Sequence, residues 1–278
     1  MPEGDTIHKL ARYLSPRLRG KELIHYRPSG SPRAIVVDDD SVDLVFARGK
    51  HLLITLTSGR CLRVHLGMHG TFHHYTHNAR WKRSPRTAHL IFATKDSVFV
   101  CFKATKIELS RQQHLVTPSA VKALGPDLID SLPSLTELQN RVQARRHISP
   151  RLDDLLLDQH VAAGIGNVYK SELLFIHRRH PSTLVEEVPI QELFAIYQSA
   201  SDLLKVNLNG GPRITTLYSL PELNPQGSHL WVYGRHKSEC FRCPTPIRRA
   251  FSGRQSRVTY WCPSCQPTLS RRAAIGIS

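Results

Sequence analysis

The sequence predicts an α+β protein, because helical and strand-like patterns occupy separate stretches of its 278 residues. Apolar residues at helical spacing come first, short runs rich in β-branched and aromatic residues follow, and helical spacing returns in the second half. Two Cys-x2-Cys pairs near the C-terminus indicate a small metal-bound module. These three observations predict a helix with a β-rich domain, then a helical domain and a terminal finger.

The first part of the chain predicts one helix followed by a β-sandwich or a β-barrel. The helix is expected to begin near Asp5, whose carboxylate can cap it, and four apolar residues then share one face: Ile7, Leu10, Ala11 and Leu14. From about Lys21 to Leu109 turn signals separate short β-rich runs, among them His51–Thr57, Cys61–Leu66, Thr87–Ala93 and Val98–Phe102. Cys61 and Cys101 stand alone in such runs and are expected to be buried thiols.

The second half is helical after a looser segment that contains Gly125-Pro126. Ser134 opens a capping-box pattern, and Ser149-Pro150 predicts the start of a further helix. Apolar residues from Leu193 to Leu204 trace one face of a longer helix, which is expected to end at Asn209-Gly210-Gly211.

The charge distribution favours a polyanionic partner. The formal net charge is +16, and no acidic residue occurs from Cys240 to Ser278, where seven arginines lie: Arg242, Arg248, Arg249, Arg254, Arg257, Arg271 and Arg272. A basic solvated surface is the simpler explanation, but patches of one sign are typical of nucleic-acid binding. The sequence has no apolar run long enough to span a membrane and no signal-peptide pattern, so a cytoplasmic, nucleoid-associated location is expected.

The cysteine module has the ligand spacing of a structural zinc site. Cys240-x2-Cys243 and Cys262-x2-Cys265 are separated by 18 residues, and four thiolates can bind one zinc ion tetrahedrally. Because four protein ligands leave no position for water, the zinc is expected to be structural. The intervening Ile247–Trp261 stretch predicts a two-stranded hairpin around Ser252-Gly253-Arg254.

A glycine-containing turn from Gln159 to Val168 connects two helical patterns. Gly164 and Gly166 permit positive φ angles and a close approach of the backbone to a ligand. The N–H groups at the start of the following helix can bind a phosphate, although an ordinary tight turn between packed helices also explains the pattern.

Six segments in order resemble the Fpg/Nei family of bifunctional DNA glycosylases, especially its endonuclease VIII (Nei) branch: Pro2-Glu3-Gly4, Gly49–Leu53, His65–Met68, Leu124–Asp127, Ala163–Leu174 and the cysteine module. The resemblance implies an N-terminal catalytic β-sandwich domain with one leading helix, followed by a helix–two-turn–helix DNA-binding domain and a zinc finger. The expected bounds are 1–113 for the catalytic domain, 114–133 for a linker and 134–229 for the helix–two-turn–helix DNA-binding domain. The finger is expected at 230–268 and a basic tail at 269–278. A monomer that acts on damaged DNA is expected, without a membrane partner.

The resemblance assigns catalysis to Pro2 and Glu3. Once Met1 is removed, Pro2 carries a free α-amine, whose pKa near about 8 leaves a sizeable neutral fraction to attack the sugar C1′. Its secondary amine gives an iminium that allows β,δ-elimination of the strand. Glu3 corresponds to the general acid for opening of the sugar ring. Viewed alone, Pro2-Glu3 is only a start sequence.

Four further residues match DNA-contacting positions of the family. Lys50 on its strand, Asn167 at the helix start and Arg257 on the finger hairpin correspond to groups that hold phosphates, with Lys50 and Arg257 counted among the catalytic set. Viewed singly, Lys50 and Arg257 are surface charges. Met68 corresponds to the side chain that fills the gap left by an extruded base, and is otherwise a core residue.

Two departures from the family pattern bear on the substrate. Thr6 stands where many relatives have Glu, and Lys103–Leu109 lacks the Arg-x-Phe wedge of the Fpg branch. The second departure favours oxidised pyrimidines as substrates over 8-oxoguanine. Two alternatives remain at this point, an oxidised-purine glycosylase and a non-catalytic protein that binds damaged DNA.

Overall fold

A computed structural model describes residues 2–26, 29–30, 34–111, 119–216 and 229–268. The chain forms two compact units, Met1–Ala123 and Leu124–Ser278. The first unit is mainly β-structure and the second combines helices with short hairpins, so the predicted α+β class is confirmed. The expected tail at 269–278 and linker positions 114–118 lie outside the described residues.

The first unit consists of helix α1 (Gly4–Leu18), a two-layer arrangement of strands and the short helix α2 (Ser119–Lys122). The strands are β1 (Glu22–Leu23), β2 (Ile35–Val37), β3 (Asp40–Arg48), β4 (His51–Leu56), β5 (Arg60–His65), β6 (Thr71–Tyr75), β7 (Ala88–Ala93), β8 (Val98–Phe102) and β9 (Lys106–Arg111). One sheet has the order β1-β3-β4-β5-β9 and the other β2-β7-β8-β6, in which β2 and β7 pair in parallel. Two separate sheets make this a β-sandwich rather than a barrel.

Apolar side chains from α1 and both sheets form the larger of two apolar clusters described in the first unit. Ile7 and Leu14 of α1 are fully buried with Leu52 of one sheet and Leu90 of the other. The apolar face of α1 arises from the helical spacing in the sequence. The isolated thiols Cys61 and Cys101 are also buried, as predicted.

The predicted cap of α1 is wrong. Glu3 occupies the N-cap position with extended backbone angles, and the helix already begins at Gly4. Asp5 therefore lies within the first helical turn, where it is 1% exposed. A carboxylate in that turn still interacts favourably with the positive end of the helix dipole.

The second unit contains α3 (Leu135–Arg145), α4 (Leu152–Leu157), α5 (Asn167–Ile176) and α6 (Ile190–Val206), packed around one apolar core. Ser134 caps α3 by accepting a 3.1 Å hydrogen bond from the Glu137 N–H, as predicted. The Ser149 prediction is wrong, because α4 begins at Leu152 and the Ser149 hydroxyl instead donates to Asp158 at 3.2 Å.

The finger follows the helices as two short hairpins. Strands β10 (Glu239–Cys240) and β11 (Cys243–Pro246) form the first, and β12 (Arg248–Ser252) and β13 (Arg257–Trp261) form the predicted second one. Ile247 and Trp231 pack with Phe175 of α5 in a separate small core. Among the helices in the described part of the chain, none combines the length and apolarity needed to cross a bilayer.

Candidate active site and metal centre

The N-terminal pair lies at the start of α1. Pro2 is half-buried, and Glu3 is fully buried with its carbonyl accepting the first helical hydrogen bond, from the Ile7 N–H at 3.1 Å. Burial of a carboxylate is costly unless polar partners compensate it. A carboxyl group on the residue next to Pro2 could transfer protons beside an amine at that position.

Lys50 lies in a turn rather than on a strand. Gly49 and Lys50 form the two-residue connection between β3 and β4, and Arg48 pairs directly with His51. Gly49 has a φ of 56°, which a glycine adopts without the Cβ clash that other residues meet. The strand placement predicted for Lys50 is therefore corrected, since the tight turn delays β4 until His51.

A cluster of polar side chains lies on neighbouring strands of the β1-β3-β4-β5-β9 sheet, and the charge of Lys50 acts on its two histidines. The His51 and His65 rings lie 5.0 Å apart, and Arg63 approaches His51 Nδ1 at 3.1 Å while it donates to Glu108 at 2.9 Å. Burial, together with electrostatic interactions with His65, Arg63 and Lys50, lowers the pKa of His51 to about 3. Burial and the charges of Lys50 and Arg63 also lower the pKa of His65. The His51 imidazole is therefore neutral at physiological pH.

Sequence reasoning did not single out Arg63, and His51 and His65 entered only as parts of motifs. The available signal was the interruption of apolar strands by polar residues at alternate positions, Arg63 and His65 in β5. Alternation in a strand places both side chains on one face. Their partner His51 comes from the neighbouring strand, so only the strand register brings the three together.

Met68 is presented by a tight loop between β5 and β6. Its side chain is 52% exposed, which excludes a core role. Gly67 has a φ of 66°, and a Cβ there would lie 1.7 Å from Thr105 Oγ1. A Cβ on Gly70 would lie 2.2 Å from the Leu66 carbonyl oxygen. The two glycines therefore allow the compact loop that turns Met68 outward.

The two glycines of the turn before α5 adopt different backbone conformations. Gly164 has a φ of 119°, which favours glycine. Gly166 has a φ of −122° and is the N-cap of α5, so it does not use the positive φ that glycine permits. Its carbonyl accepts the Lys170 N–H at 2.8 Å, which starts the helix.

Helix α5 is joined to β13 next to Arg257. Asn167 Nδ2 donates to the Val258 carbonyl at 2.7 Å, and the buried Lys170 Nζ donates to Thr259 Oγ1 at 2.6 Å. These contacts bring the predicted residues Asn167 and Arg257 into one part of the second unit. Sequence analysis missed Lys170, a fully buried lysine in a helix that also buries Asn167, Ser171 and Glu172.

The entry to the finger is bound to α5 by Glu172, a second residue that the sequence analysis missed. Its fully buried carboxylate accepts N–H hydrogen bonds from Trp231 at 2.7 Å, Val232 at 2.9 Å and Tyr233 at 2.8 Å. The Thr215 hydroxyl also donates to it. Backbone donors on three successive residues fix the direction in which the chain enters the finger.

The four predicted cysteines converge. Sulfur–sulfur distances are 3.5 Å for Cys243–Cys262, 3.6 Å for Cys243–Cys265 and 3.8 Å for Cys240–Cys265, and all four sulfurs lie within 4.8 Å of one another. Zinc–sulfur bonds of about 2.3 Å in a tetrahedron require sulfurs about 3.8 Å apart. The four thiols therefore fit a tetrahedral metal ion.

Comparisons with known proteins follow the same division of the chain. Residues 1–107 match the formamidopyrimidine-DNA glycosylase N-terminal domain, and residues 124–219 match the formamidopyrimidine-DNA glycosylase H2TH domain. The chain also resembles a solved structure of Lactococcus lactis formamidopyrimidine-DNA glycosylase bound to abasic-site DNA, with a TM-score of 0.75 and 22% identity over 96% of this chain and 100% of that one. This structural likeness supports the fold.

Two curated relatives are similar over nearly their whole length. A probable endonuclease 8 2 from Streptomyces coelicolor is 36% identical, covering 96% of this chain and 94% of the relative. The DNA-(apurinic or apyrimidinic site) lyase Nei2 of Mycolicibacterium smegmatis is 35% identical, covering 96% and 99%. With both domain matches in order and identity of this extent, the chain belongs to the formamidopyrimidine-DNA glycosylase (Fpg/Nei) family of DNA repair enzymes.

Proposed function

We propose that this protein is a bifunctional DNA glycosylase and abasic-site lyase of base excision repair, with Pro2 as nucleophile and Glu3 as general acid. The observation that carries the proposal is that Pro2 precedes Glu3, the fully buried N-cap residue of α1, in a chain of this family. The relative named as an abasic-site lyase supports the second activity. A protein that only binds damaged DNA needs neither group.

The reaction begins at the α-amine exposed by removal of Met1. The nitrogen lone pair attacks C1′, the bond from C1′ to the base breaks, and the base leaves with a proton. Glu3 protonates the ring oxygen as the sugar opens, which leaves an iminium between Pro2 and C1′. The iminium acidifies the C2′ proton; its removal expels the 3′ phosphate, a second elimination expels the 5′ phosphate, and water releases the sugar fragment.

Phosphate binding is assigned to donors from both units. Lys50 offers an ammonium group from the β3–β4 turn, while Asn167 and Arg257 offer an amide and a guanidinium group. The Gly164 N–H already donates to Gln159 Oε1 at 3.1 Å, so the contribution of this turn is assigned to the backbone at Gly166, where α5 starts. The exposed Met68 is proposed to fill the space of an extruded base, for which an apolar side chain on a rigid loop is suitable.

The metal is proposed to be one structural zinc ion. Cys240, Cys243, Cys262 and Cys265 would hold it and leave no position for substrate or water. When bound, zinc supplies a rigid crosslink between the two hairpins of the finger. That crosslink supports β13 and thus Arg257.

Oxidised pyrimidines are the proposed substrates. The absence of an Arg-x-Phe wedge in Lys103–Leu109 and the endonuclease 8 names of the relatives favour them over 8-oxoguanine. A panel of duplexes should show faster excision of thymine glycol or dihydrouracil than of 8-oxoguanine opposite cytosine. If 8-oxoguanine is the best substrate, the oxidised-purine alternative is correct.

The site of action is proposed to be DNA in the bacterial cytoplasm, at the nucleoid, with the enzyme acting as a monomer. The relatives named above are bacterial, which supports this setting. The net charge of +16 suits a polyanionic partner. Sedimentation of the protein with and without a short lesion duplex will test whether it is monomeric in both states.

Borohydride trapping tests the mechanism. Reduction of the iminium should yield a covalent protein–DNA adduct that peptide mapping locates at Pro2. Retaining Met1 or adding a residue before Pro2 should abolish trapping and cleavage without unfolding the protein. Glu3→Gln should slow base excision more than cleavage of a preformed abasic site. An adduct at an internal lysine with Pro2 unmodified would refute the assignment.

A further inference from the structure

The tip of the β12–β13 hairpin is bound to the start of α4 through a network of side chains. Asp153 is 1% exposed and accepts a hydrogen bond from the Ser252 hydroxyl. Arg151 joins both, with Nη2 donating to Ser252 Oγ at 2.8 Å and Nε to Asp153 Oδ1 at 3.2 Å. Ser252 is the cross-strand partner of Arg257. The network therefore ends directly opposite the proposed phosphate donor.

A second carboxylate holds the backbone of the same tip. Asp154 Oδ1 accepts the Arg254 N–H at 2.7 Å, and a Cβ on Gly253 would lie 2.4 Å from that oxygen. Gly253 also has a φ of 71°. Arg254 in turn donates from Nη1 to the Ile148 carbonyl at 2.5 Å. The tip thus rests on Asp154 so closely that its first residue has no room for a side chain.

The remainder of the hairpin is held by other contacts. Val258 and Thr259 of β13 bind Asn167 and Lys170 of α5, and Cys262 joins the cysteine cluster just after the strand. Asp153 and Asp154 therefore act mainly on the tip and on the first residue of β13, which is Arg257. Their loss is expected to leave the finger folded while its tip becomes mobile.

We propose that Asp153 and Asp154 are positioning residues, which fix the Arg257 guanidinium for a DNA phosphate through Ser252 and the tip backbone. The inference rests on the proposed function. The direction of the change in DNA affinity distinguishes this positioning role from a purely electrostatic effect of the two carboxylates. Two carboxylates near a phosphate-binding residue repel DNA, so their removal should strengthen binding if charge were their only effect. Loss of positioning predicts weaker binding and slower cleavage instead.

The test compares wild-type protein, the double variant Asp153→Ala/Asp154→Ala, Arg257→Ala and the triple variant. Single-turnover cleavage of an abasic-site duplex should slow about 10- to 100-fold in the double variant, as expected for a displaced contact. The slope of log K against log salt should fall by about 0.9, the loss of one phosphate contact. In the Arg257→Ala background the same two changes should have little further effect, because the positioned group is already absent.

A matched pair of glycine variants provides an independent perturbation. Gly253→Ala places a methyl group against Asp154 and should slow cleavage in the same way as loss of the carboxylates. Gly234→Ala is the control, since Gly234 has a similar φ of 79° but nothing within 4 Å of the added Cβ. The Gly234→Ala variant should have similar backbone strain but cleave the duplex at the wild-type rate. Zinc content should stay the same in all variants.

The outcomes separate this proposal from the proposed function. If wild-type protein gives no borohydride-trapped adduct, the proposed function fails. If wild-type protein is trapped but the double variant cleaves normally or binds DNA more tightly, the positioning role is wrong. An undiminished effect in the Arg257→Ala background also overturns it. If the double variant loses zinc, the Ser252→Ala variant is tested in its place. Slower cleavage by Ser252→Ala supports the proposal, and cleavage at the wild-type rate refutes it.

Discussion

Replacement of Asp40 by Asn should destabilise the N-terminal unit by about 2–4 kcal/mol. Asp40 begins β3, is 8% exposed and accepts hydrogen bonds at both carboxylate oxygens. Oδ1 accepts from the Ser41 N–H at 2.9 Å, Thr57 Oγ1 at 3.0 Å and the Ser58 N–H at 3.1 Å. Oδ2 accepts from the Ser58 hydroxyl and from Arg60, at 3.1 Å for Nε and 2.9 Å for Nη2.

The magnitude comes from the two hydrogen bonds with Arg60. Asparagine keeps one oxygen but turns an NH2 group toward the guanidinium, so both hydrogen bonds from Arg60 are lost. Hydrogen bonds to charged groups contribute about 1.5–3 kcal/mol each. The Arg60 side chain is 32% exposed, so solvent screening reduces the sum to about 2–4 kcal/mol.

The stability lost in the Asp40→Asn variant should also depend on pH. Burial raises the pKa of Asp40, but hydrogen bonds from Ser58, Arg60 and Ser41 outweigh it and hold that pKa well below its usual range. An acid with a lowered pKa contributes stability above its unfolded-state pKa of about 4 and loses it as the pH falls toward the folded-state value. The cost of Asp40→Asn should therefore be larger at pH 7 than at pH 3.

Urea unfolding at both pH values measures the effect, with Asp43→Asn as the control. Asp43 lies on the same strand but is exposed and accepts one hydrogen bond, from Thr55 at 3.2 Å. Its replacement should change the free energy of unfolding by less than about 0.5 kcal/mol. The reasoning is refuted if the two variants are equally stable at pH 7, or if the cost of Asp40→Asn is the same at pH 3.

Three further measurements test the site. Arg257→Ala should weaken binding to lesion and undamaged DNA alike and reduce the salt slope by about 0.9; a change in base discrimination alone would give Arg257 another role. Chelation should release one zinc ion per chain and abolish cleavage by disordering the hairpin, so active protein free of zinc would contradict the metal assignment. His51 should show no imidazole titration by NMR between pH 8 and pH 5, because its pKa is lowered to about 3; a midpoint near pH 6 would argue against its buried, cation-flanked setting.

Local patterns in the sequence determined much of the fold. The run predicted at Val98–Phe102 is β8, and the stretch between the cysteine pairs forms the β12–β13 hairpin. The cysteine spacing identified all four members of the sulfur cluster. These features depend on residues that are close in the chain, so periodicity, turn residues and ligand spacing are sufficient to predict them.

Tertiary structure decided how the functional side chains are held. Asp153 meets Ser252 across 99 positions of sequence, and Glu172 binds Trp231 across 59. No local pattern encodes such pairs, because each depends on how separate elements pack. The same holds for Gly166, whose sequence allows a positive φ that the start of α5 does not use. The sequence by itself thus determined most of the elements and the four cysteines that cluster, whereas packing between distant segments decided the side-chain partners around the proposed DNA-binding groups.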